Sequence, residues 1–293
     1  MRRRSQCALC DGALEPLFDK DGYAICRCGS CGLVQVGAAP SRDELERIYG
    51  EQYFSSEVFH DYVAEREVRV EAGRAAVRTL ARLVPAGKLL DVGCAAGFFL
   101  EAASGRYAAT GVELSPFASS YARETLGLRV FTGEVSDGVL DGERFDVVTV
   151  WNTVEHMADP LGAFTAIARI MRPGALLALS TGDATGPLAR FDLRNWNLMV
   201  PPYHLFFFSP KTIDLLLAKT GFELRRLVYD GVVATRGPLA SDAGRLMSTV
   251  AGLGNVMTVY AIRTTASRRG SSVARRLAAR YRPLRLVSVS PDR

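Results

Sequence analysis

The 293-residue chain has only three histidines, His60, His156 and His204, and only two tryptophans, Trp151 and Trp196. With so few imidazoles, each is an individual candidate for proton transfer near neutrality. No run approaches eighteen uninterrupted apolar residues, which excludes a membrane-spanning helix on hydropathy. The opening Met1-Arg2-Arg3-Arg4-Ser5-Gln6-Cys7 has no apolar core behind its charges. It does not read as a secretory signal, and a cytoplasmic location is expected. Internal repeats and low-complexity segments are also lacking, so a solenoid or tandem array is excluded. Outside one segment there is little excess positive charge. Residues 264–293 hold eight arginines and a single acid, Asp292, a net +7 against +5 for the whole chain, so the remainder is slightly acidic. The basic character belongs to a tail and is not interleaved with aromatics around a cleft, which argues against nucleic acid as a partner.

What is present centres on Leu89-Leu90-Asp91-Val92-Gly93-Cys94-Ala95-Ala96-Gly97-Phe98-Phe99-Leu100, with Glu113 further on. An apolar run, a turn of small residues and a helix start, followed by an acid ending the next strand, build an adenosine pocket on a doubly wound sheet. A dinucleotide fingerprint needs glycine at the first, third and sixth positions of that turn. Counting from Gly93, the third is Ala95 and the sixth is Phe98, so a pyrophosphate turn is a poor match. Cys94, inside the turn, reads as a small apolar residue.

Four of the six cysteines stand as Cys7-x2-Cys10 and Cys28-x2-Cys31. Two such pairs at this separation match a tetrahedral four-thiolate zinc ribbon, with Gly12 and Gly32 letting the knuckles turn. Such a site is closed to substrate, so the zinc would be structural. Cys26 has the wrong spacing to Cys28 for a knuckle. Leu14–Phe18 and Tyr23–Ile25 are expected to form a minimal hairpin.

Beyond the ribbon, Ser41 and Glu44 fit a capping box that opens a helix. Tyr49, Tyr53 and Phe54 follow, then an amphipathic helix over 57–84. Alternation then predicts strands near 88–93, 108–113, 128–132, 145–151, 174–181, 222–230 and 255–263. Helices are expected near 97–105, 115–126, 160–171 and 210–220, with Pro173-Gly174 turning into the fifth strand.

These motifs resemble those of class I S-adenosylmethionine-dependent methyltransferases: Asp91 with Gly93, Ala95 and Gly97; Phe145–Asn152; Glu155–Pro160; Arg172–Leu177; Pro202–Pro210. Ala95 departs from the family's usual glycine. Together with the cysteine ribbon, the set is similar to bacterial enzymes of sugar, glycan or secondary-metabolite pathways. The resemblance implies an α/β fold: a Rossmann-like seven-stranded sheet with helices on both faces, preceded by a small zinc ribbon. The divisions expected are a ribbon over 1–40, a helical linker or cap over 41–87, a methyltransferase domain over 88–263 and a basic tail over 264–293. Val273, Leu277 and Tyr281 would share one face of that tail if it were helical, and such a segment can lie on anionic lipid.

The resemblance also implies roles. Asp91 would lie near the methionine ammonium, directly or through water. Glu113 would accept both ribose hydroxyls, as a carboxylate with two oxygens can. Glu134 would accept from the adenine amine, and Asn152 would line the methionine part. Methyl transfer to a hydroxyl needs alignment and a proton acceptor. His156 or His204 is expected in that role, with Glu155 beside it. The alternative is that His156 only caps the following segment while Glu155 holds its ring. Related enzymes with Glu-x-x-Glu-His in this position bind a divalent metal, but here Asn152 replaces the first glutamate, which puts a catalytic metal in doubt. Asn195–His204 is expected as a loop on the acceptor side. The expected reaction is O-methylation of a small-molecule, sugar-nucleotide or glycan acceptor. Carbon methylation of a keto-sugar nucleotide is a rival, and so is a non-catalytic ribbon docking protein that binds the cofactor.

Overall fold

The structure, a computed structural model, describes residues 1–50, 63–230 and 255–264. Tyr53, Phe54, His60, the first part of the helix expected over 57–84, and the basic tail with Val273, Leu277 and Tyr281 lie outside those residues.

The chain opens with β1 (Arg2–Arg3), β2 (Leu14–Lys20), β3 (Tyr23–Cys28), β4 (Val34–Val36) and β5 (Ala38–Ala39). The expected hairpin is β2–β3, turned by Asp21-Gly22. Both turn residues have positive φ, 51° and 83°, the signature of the two-residue turn that matches strand twist. β4 pairs antiparallel with β3, and β1 pairs with β5. Ser41 then caps the helix Arg42–Ile48, and the reciprocal box with Glu44 is present.

The main sheet comprises β6 (Lys88–Val92), β7 (Ala108–Glu113), β8 (Val130–Thr132), β9 (Phe145–Trp151) and β10 (Met171–Gly182), completed by β12 (Phe222–Asp230) and β13 (Val256–Arg263). Its order is β12-β13-β10-β9-β6-β7-β8. The pairs from β8 across to β10 are parallel, while β13 runs antiparallel between β10 and β12. Strand order reverses at β6, where such sheets open a crevice at their carboxyl ends. The central strands are apolar runs because helices cover both faces. This is the expected seven-stranded Rossmann-like fold, and the four cysteines lie close together in a small amino-terminal ribbon.

Some details differ from expectation. The segment expected as one helix over 115–126 is α-helical over Pro116–Ser120 and then widens into a π turn, Tyr121–Thr125. Pro173-Gly174 lies inside the span of β10, at a register shift between Met171 and Leu176. Helix Arg66–Leu83 buries Val70, Gly73, Val77 and Leu80, spaced by three or four residues, against helix Phe98–Ser104.

The ribbon is joined to the sheet. β11 (Phe206–Phe207) pairs antiparallel with β4, completing a four-stranded sheet β11-β4-β3-β2. Phe206, Phe207 and Phe208 are buried, as expected of core residues, but two of them also serve as a ribbon strand. Leu9, Ile25 and Val36 of the ribbon belong to the same apolar cluster as Leu90 and Val148 of the main sheet. Lys219 Nζ donates to the Leu9 carbonyl and Arg4 to that of Ala158, so polar contacts reinforce the joint.

Candidate active site

A cavity of about 890 Å³ opens at the carboxyl ends of the central strands, lined among others by Asp91, Gly93, Ala95, Glu113, Glu134 and Asn152. The turn after β6 sets its floor. Gly93 has φ +72°, and a Cβ there would collide with Thr153. Gly97 has φ +85°, and a Cβ there would meet Leu128 at 2.7 Å. Between them Ala95 also sits in the left-handed region, at φ 46°. Only glycine adopts that conformation without strain.

Glu113 is 9% exposed at the end of β7. Its Oε2 accepts from Ala95 N–H at 2.9 Å and its Oε1 from Ser115 N–H at 2.8 Å. Burial raises its pKa, and the backbone donors act in the opposite direction. Asp91, 3% exposed, accepts from the Thr149 hydroxyl at 2.7 Å. Burial, reinforced by the charge of Glu113, pushes it up to about 7. Glu134, half-buried after β8, is raised by burial and by Asp137. Arg42 grips Asp137 with two bonds of 3.0 Å, fastening the amino-terminal helix to this rim. Asn152, just past β9 with φ 46°, accepts from the Ser180 hydroxyl at 3.1 Å.

Glu155, His156 and His204 come together, each offering a ligand atom within 4.8 Å of the others. His156 lines the cavity, with its Nδ1 2.7 Å from the Tyr49 hydroxyl and 2.8 Å from the Tyr203 carbonyl. The Tyr49 hydroxyl donates to that same carbonyl at 2.9 Å. It can therefore accept from His156, and both neighbours favour the Nδ1–H tautomer. The His204 ring stands edge-on to it, with centroids 4.7 Å apart, and its Nδ1 lies 2.7 Å from the Leu198 carbonyl. Burial, then His204, pushes His156 down to about 3, and burial takes His204 down to about 4. Both rings are neutral at pH 7. Glu155, buried on the 3-10 turn Val154–His156, is raised to about 7 by burial.

Residues 64–227, more than half of the chain, match the family model described as a methyltransferase domain. The chain belongs to the methyltransferase family. Among curated relatives, the ubiquinone biosynthesis O-methyltransferase of Alkalilimnicola ehrlichii is 35% identical over 103 residues, 32% of this chain and 41% of that protein. The enzyme of the same name from Cereibacter sphaeroides is 37% identical over 102 residues, 32% of this chain and 40% of that protein. The chain thus matches under half the length of these relatives. A SAM-dependent methyltransferase of Thermotoga maritima superposes with TM-score 0.55 at 21% identity, covering 75% of this chain and all of that one. The magnesium protoporphyrin IX methyltransferase of Synechocystis with bound SAH gives TM-score 0.50 at 16% identity, covering 76% of this chain and 99% of that one. These likenesses show the fold, and the family match makes the chain a methyltransferase.

In this methyltransferase every expected pocket residue except Gly97 lines the cavity, and Gly97 caps the helix behind the turn. Around His156 the structure departs from the alternative in which Glu155 holds the ring. Its ring is held by Tyr49 and the Tyr203 carbonyl, and Glu155 makes no hydrogen bond to it. The loop 195–204, expected to wall the pocket, contributes no lining residue; Trp196 is core, and His204 stands edge-on to His156 of the lining. Trp151 is both pocket wall and packing partner of Phe99, at 5.6 Å between centroids. Thr149 and Ser180 carried no signal within their apolar strands. Among the described residues no helix is long and apolar enough to cross a membrane.

The four ribbon cysteines form their own cluster. Cys7 and Cys31 sulfurs lie 3.6 Å apart, and those of Cys10 and Cys28 lie 3.4 Å apart. These separations are too long for disulfides and close to the roughly 3.8 Å edge of a tetrahedron with metal–sulfur bonds of about 2.3 Å. Leu9 N–H points at the Cys7 sulfur and Cys31 N–H at that of Cys28, each at 3.4 Å. The donor set fits a zinc ion.

Proposed function

We propose that this methyltransferase moves the methyl group of S-adenosylmethionine to a hydroxyl of a small-molecule or glycan acceptor, with structural zinc on Cys7, Cys10, Cys28 and Cys31. In this reading the ribbon occupies 1–40, the cap 41–87 and the catalytic domain 88–263. The cofactor supplies a methyl already activated on a sulfonium. The chain's own residues must then hold it, align the acceptor and receive a proton.

Asp91 would pair with the methionine ammonium. Each Glu113 oxygen, already accepting one backbone N–H, keeps a second lone pair for a ribose hydroxyl. Glu134 would take the adenine amine, and Asn152 would border the methionine part. The single observation carrying the reaction type is His156 at the cavity wall. Its Nδ1–H is held by Tyr49 and the Tyr203 carbonyl, leaving Nε2 as the accepting nitrogen. The Glu155 carboxylate beside it would stabilise the imidazolium once formed. Relatives named O-methyltransferases support oxygen as the target.

The test is isothermal titration with S-adenosylmethionine, then turnover of methyl-labelled cofactor against nucleotide-sugars and phenols, with products read by NMR. An O-methyl product, abolished in His156→Ala, is the expected result. A C-methyl product on a keto-sugar would move the assignment to carbon. Failure of the folded, zinc-loaded protein to bind the cofactor would overturn it altogether.

A further inference from the structure

The cavity, about 890 Å³, is near the upper end for small-ligand sites and continues past the groups assigned to the cofactor. Asp91, Glu113 and Glu134 lie at the ends of β6, β7 and β8, whereas its wall also runs sideways over β10 and β13. Ser180 of β10 is in register with Trp151 of β9 and with Thr258 of β13, so these three side chains share one face of the sheet. Val256 and Tyr260, two positions either side of Thr258, point the same way. All five line the cavity. Two strand spacings separate β9 from β13, so this arm reaches about 10 Å beyond Trp151. A second wall comes from helix Arg66–Leu83. Its stripe Val70, Gly73, Val77 and Leu80 is buried, while Ala72, Ala75, Ala76 and Thr79 form another stripe that lines the cavity. Ala72 and Ala75 are exposed and Ala76 is half-buried, so small apolar residues face open space. The Ser180 hydroxyl is committed to Asn152 at 3.1 Å and that of Thr79 to the Ala75 carbonyl at 3.2 Å, which leaves the arm largely apolar.

We propose that this arm receives the body of the acceptor, and that the acceptor is an uncharged alcohol with a largely hydrocarbon body and not a nucleotide-sugar. The charges of the cavity carry the second half of that statement. Arg69 is the one cation among the described lining residues, and it is bonded to Glu65 at 2.8 Å. Asp91, Glu113, Glu134 and Asp159 line the same cavity. A diphosphate is held by several cations or by backbone amides at a helix start, and carboxylates around it act against binding. The sulfonium and ammonium of the cofactor, by contrast, suit an acidic cavity. The shape carries the first half. Phe99, Trp151 and Tyr260 offer aromatic surface, and the alanine stripe leaves room for a chain between helix and sheet. Calling the occupant an acceptor rests on the proposed methyl transfer; the preference of the arm for apolar molecules does not.

The test is calorimetric titration of the full chain with a series of 4-alkylphenols of increasing chain length and with uridine diphosphate glucose. S-adenosylhomocysteine, which has no methyl to give, is present so that binding is read without turnover. Affinity should rise about fourfold for each methylene the arm buries and level off once the arm is full. The nucleotide-sugar should bind more weakly than the longest phenol. Ala76→Phe, which fills the arm, and Ala72→Asp, which puts a charge in it at an exposed position, should both flatten the series. Affinity that ignores chain length overturns the proposal, as does a nucleotide-sugar that binds as tightly as the longest phenol. A series that stays steep in both variants also overturns it, because the apolar site then lies elsewhere. If a variant does not fold, the wild-type series and the nucleotide-sugar comparison decide the matter alone. Titrating S-adenosylmethionine into the same samples separates the two readings. Normal cofactor binding with a flat series removes only the apolar arm. Absent cofactor binding removes the proposed function, while the phenol series, repeated on the free chain, still judges the arm.

Discussion

The Tyr49 hydroxyl lies 2.7 Å from Nδ1 of His156, although 107 positions separate them in the chain. Tyr49 ends the helix Arg42–Ile48, so this contact brings the segment after the ribbon to the wall of the cofactor cavity. Leu45 of the same helix also lines the cavity, and Arg42 is clamped to Asp137 beside Glu134 on its rim. The helix segment therefore meets the cavity at both the His156 wall and the Glu134 rim. Losing one neutral hydrogen bond should destabilise the protein by about 1 kcal/mol. Tyr49→Phe should show that loss in urea unfolding and should lower turnover by loosening His156. Identical unfolding and turnover in the variant would make the contact incidental.

Glu113 holds the Ala95 and Ser115 amides and lines the cavity, so its removal affects the turn as well as the proposed ribose contact. Glu113→Ala should weaken S-adenosylmethionine binding by roughly 10- to 100-fold, the range for hydrogen bonds to a charged group. Glu113→Gln, which keeps one accepting oxygen, should fall between. Unchanged affinity in Glu113→Ala by calorimetry would refute the ribose assignment.

Asp91 gives a pH-dependent signature. Its carboxyl is raised by burial to about 7, so the empty folded protein retains a proton that the unfolded chain has already lost. Stability from this group is therefore intact below its unfolded value near 3.8 and declines as pH rises towards 7. The penalty above pH 7 is on the order of 4 kcal/mol. Asp91→Asn should be more stable than wild type at pH 8 and no different at pH 3.5. Cofactor binding has the opposite sign. An ammonium beside Asp91 favours the carboxylate, so affinity should rise between pH 6 and 8 with proton release. Binding enthalpies that do not depend on buffer ionisation would contradict this role.

The sheet was legible because buried parallel strands are apolar runs punctuated by turn residues; β7, β9 and β12 match their expected bounds. The pocket was legible for a related reason. Asp91, Gly93, Glu113 and Asn152 all sit at strand ends, where chemistry rather than packing dictates residue type. The site around His156 was not legible, because it depends on contacts between distant segments. Nothing in Pro202–Pro210 says that His204 will meet His156, or that Phe206-Phe207 will extend the ribbon sheet. An all-apolar stretch does not specify which sheet it joins. Thr149 was invisible for a further reason. A threonine within a strand is ordinary, and only the buried carboxylate next to it gives its hydroxyl a purpose.

Ala95 offers a test of the strain in the cofactor turn. An alanine in the left-handed region is strained by about 1–2 kcal/mol, while glycine adds unfolded-state entropy worth up to about 1 kcal/mol. Ala95→Gly should therefore stabilise the protein modestly, by up to about 1 kcal/mol, and leave the Glu113 contact in place. Asn152 has the same φ, but asparagine tolerates it and its side chain is bonded to Ser180. Asn152→Gly should therefore destabilise. If both glycine variants shift the urea midpoint in the same direction, backbone strain at Ala95 is not the controlling term.

The cysteine cluster should behave as a local clasp with a distant effect. Cys28→Ser removes one sulfur from the tetrahedral set and the acceptor of the Cys31 amide, so zinc should leave. The first 40 residues would lose their covalent staple, while β6 to β10 keep their own apolar core. The loss should also spread along one path, because β4 pairs with β11, and Leu205 is bonded to Val36 and Glu155. Amide exchange should accelerate in the ribbon and through residues 203–207, and remain slow in β6, β9 and β10. Full zinc occupancy in the variant would remove the four-cysteine assignment. Acceleration confined to the ribbon would show that the shared strand transmits nothing to the histidine cluster.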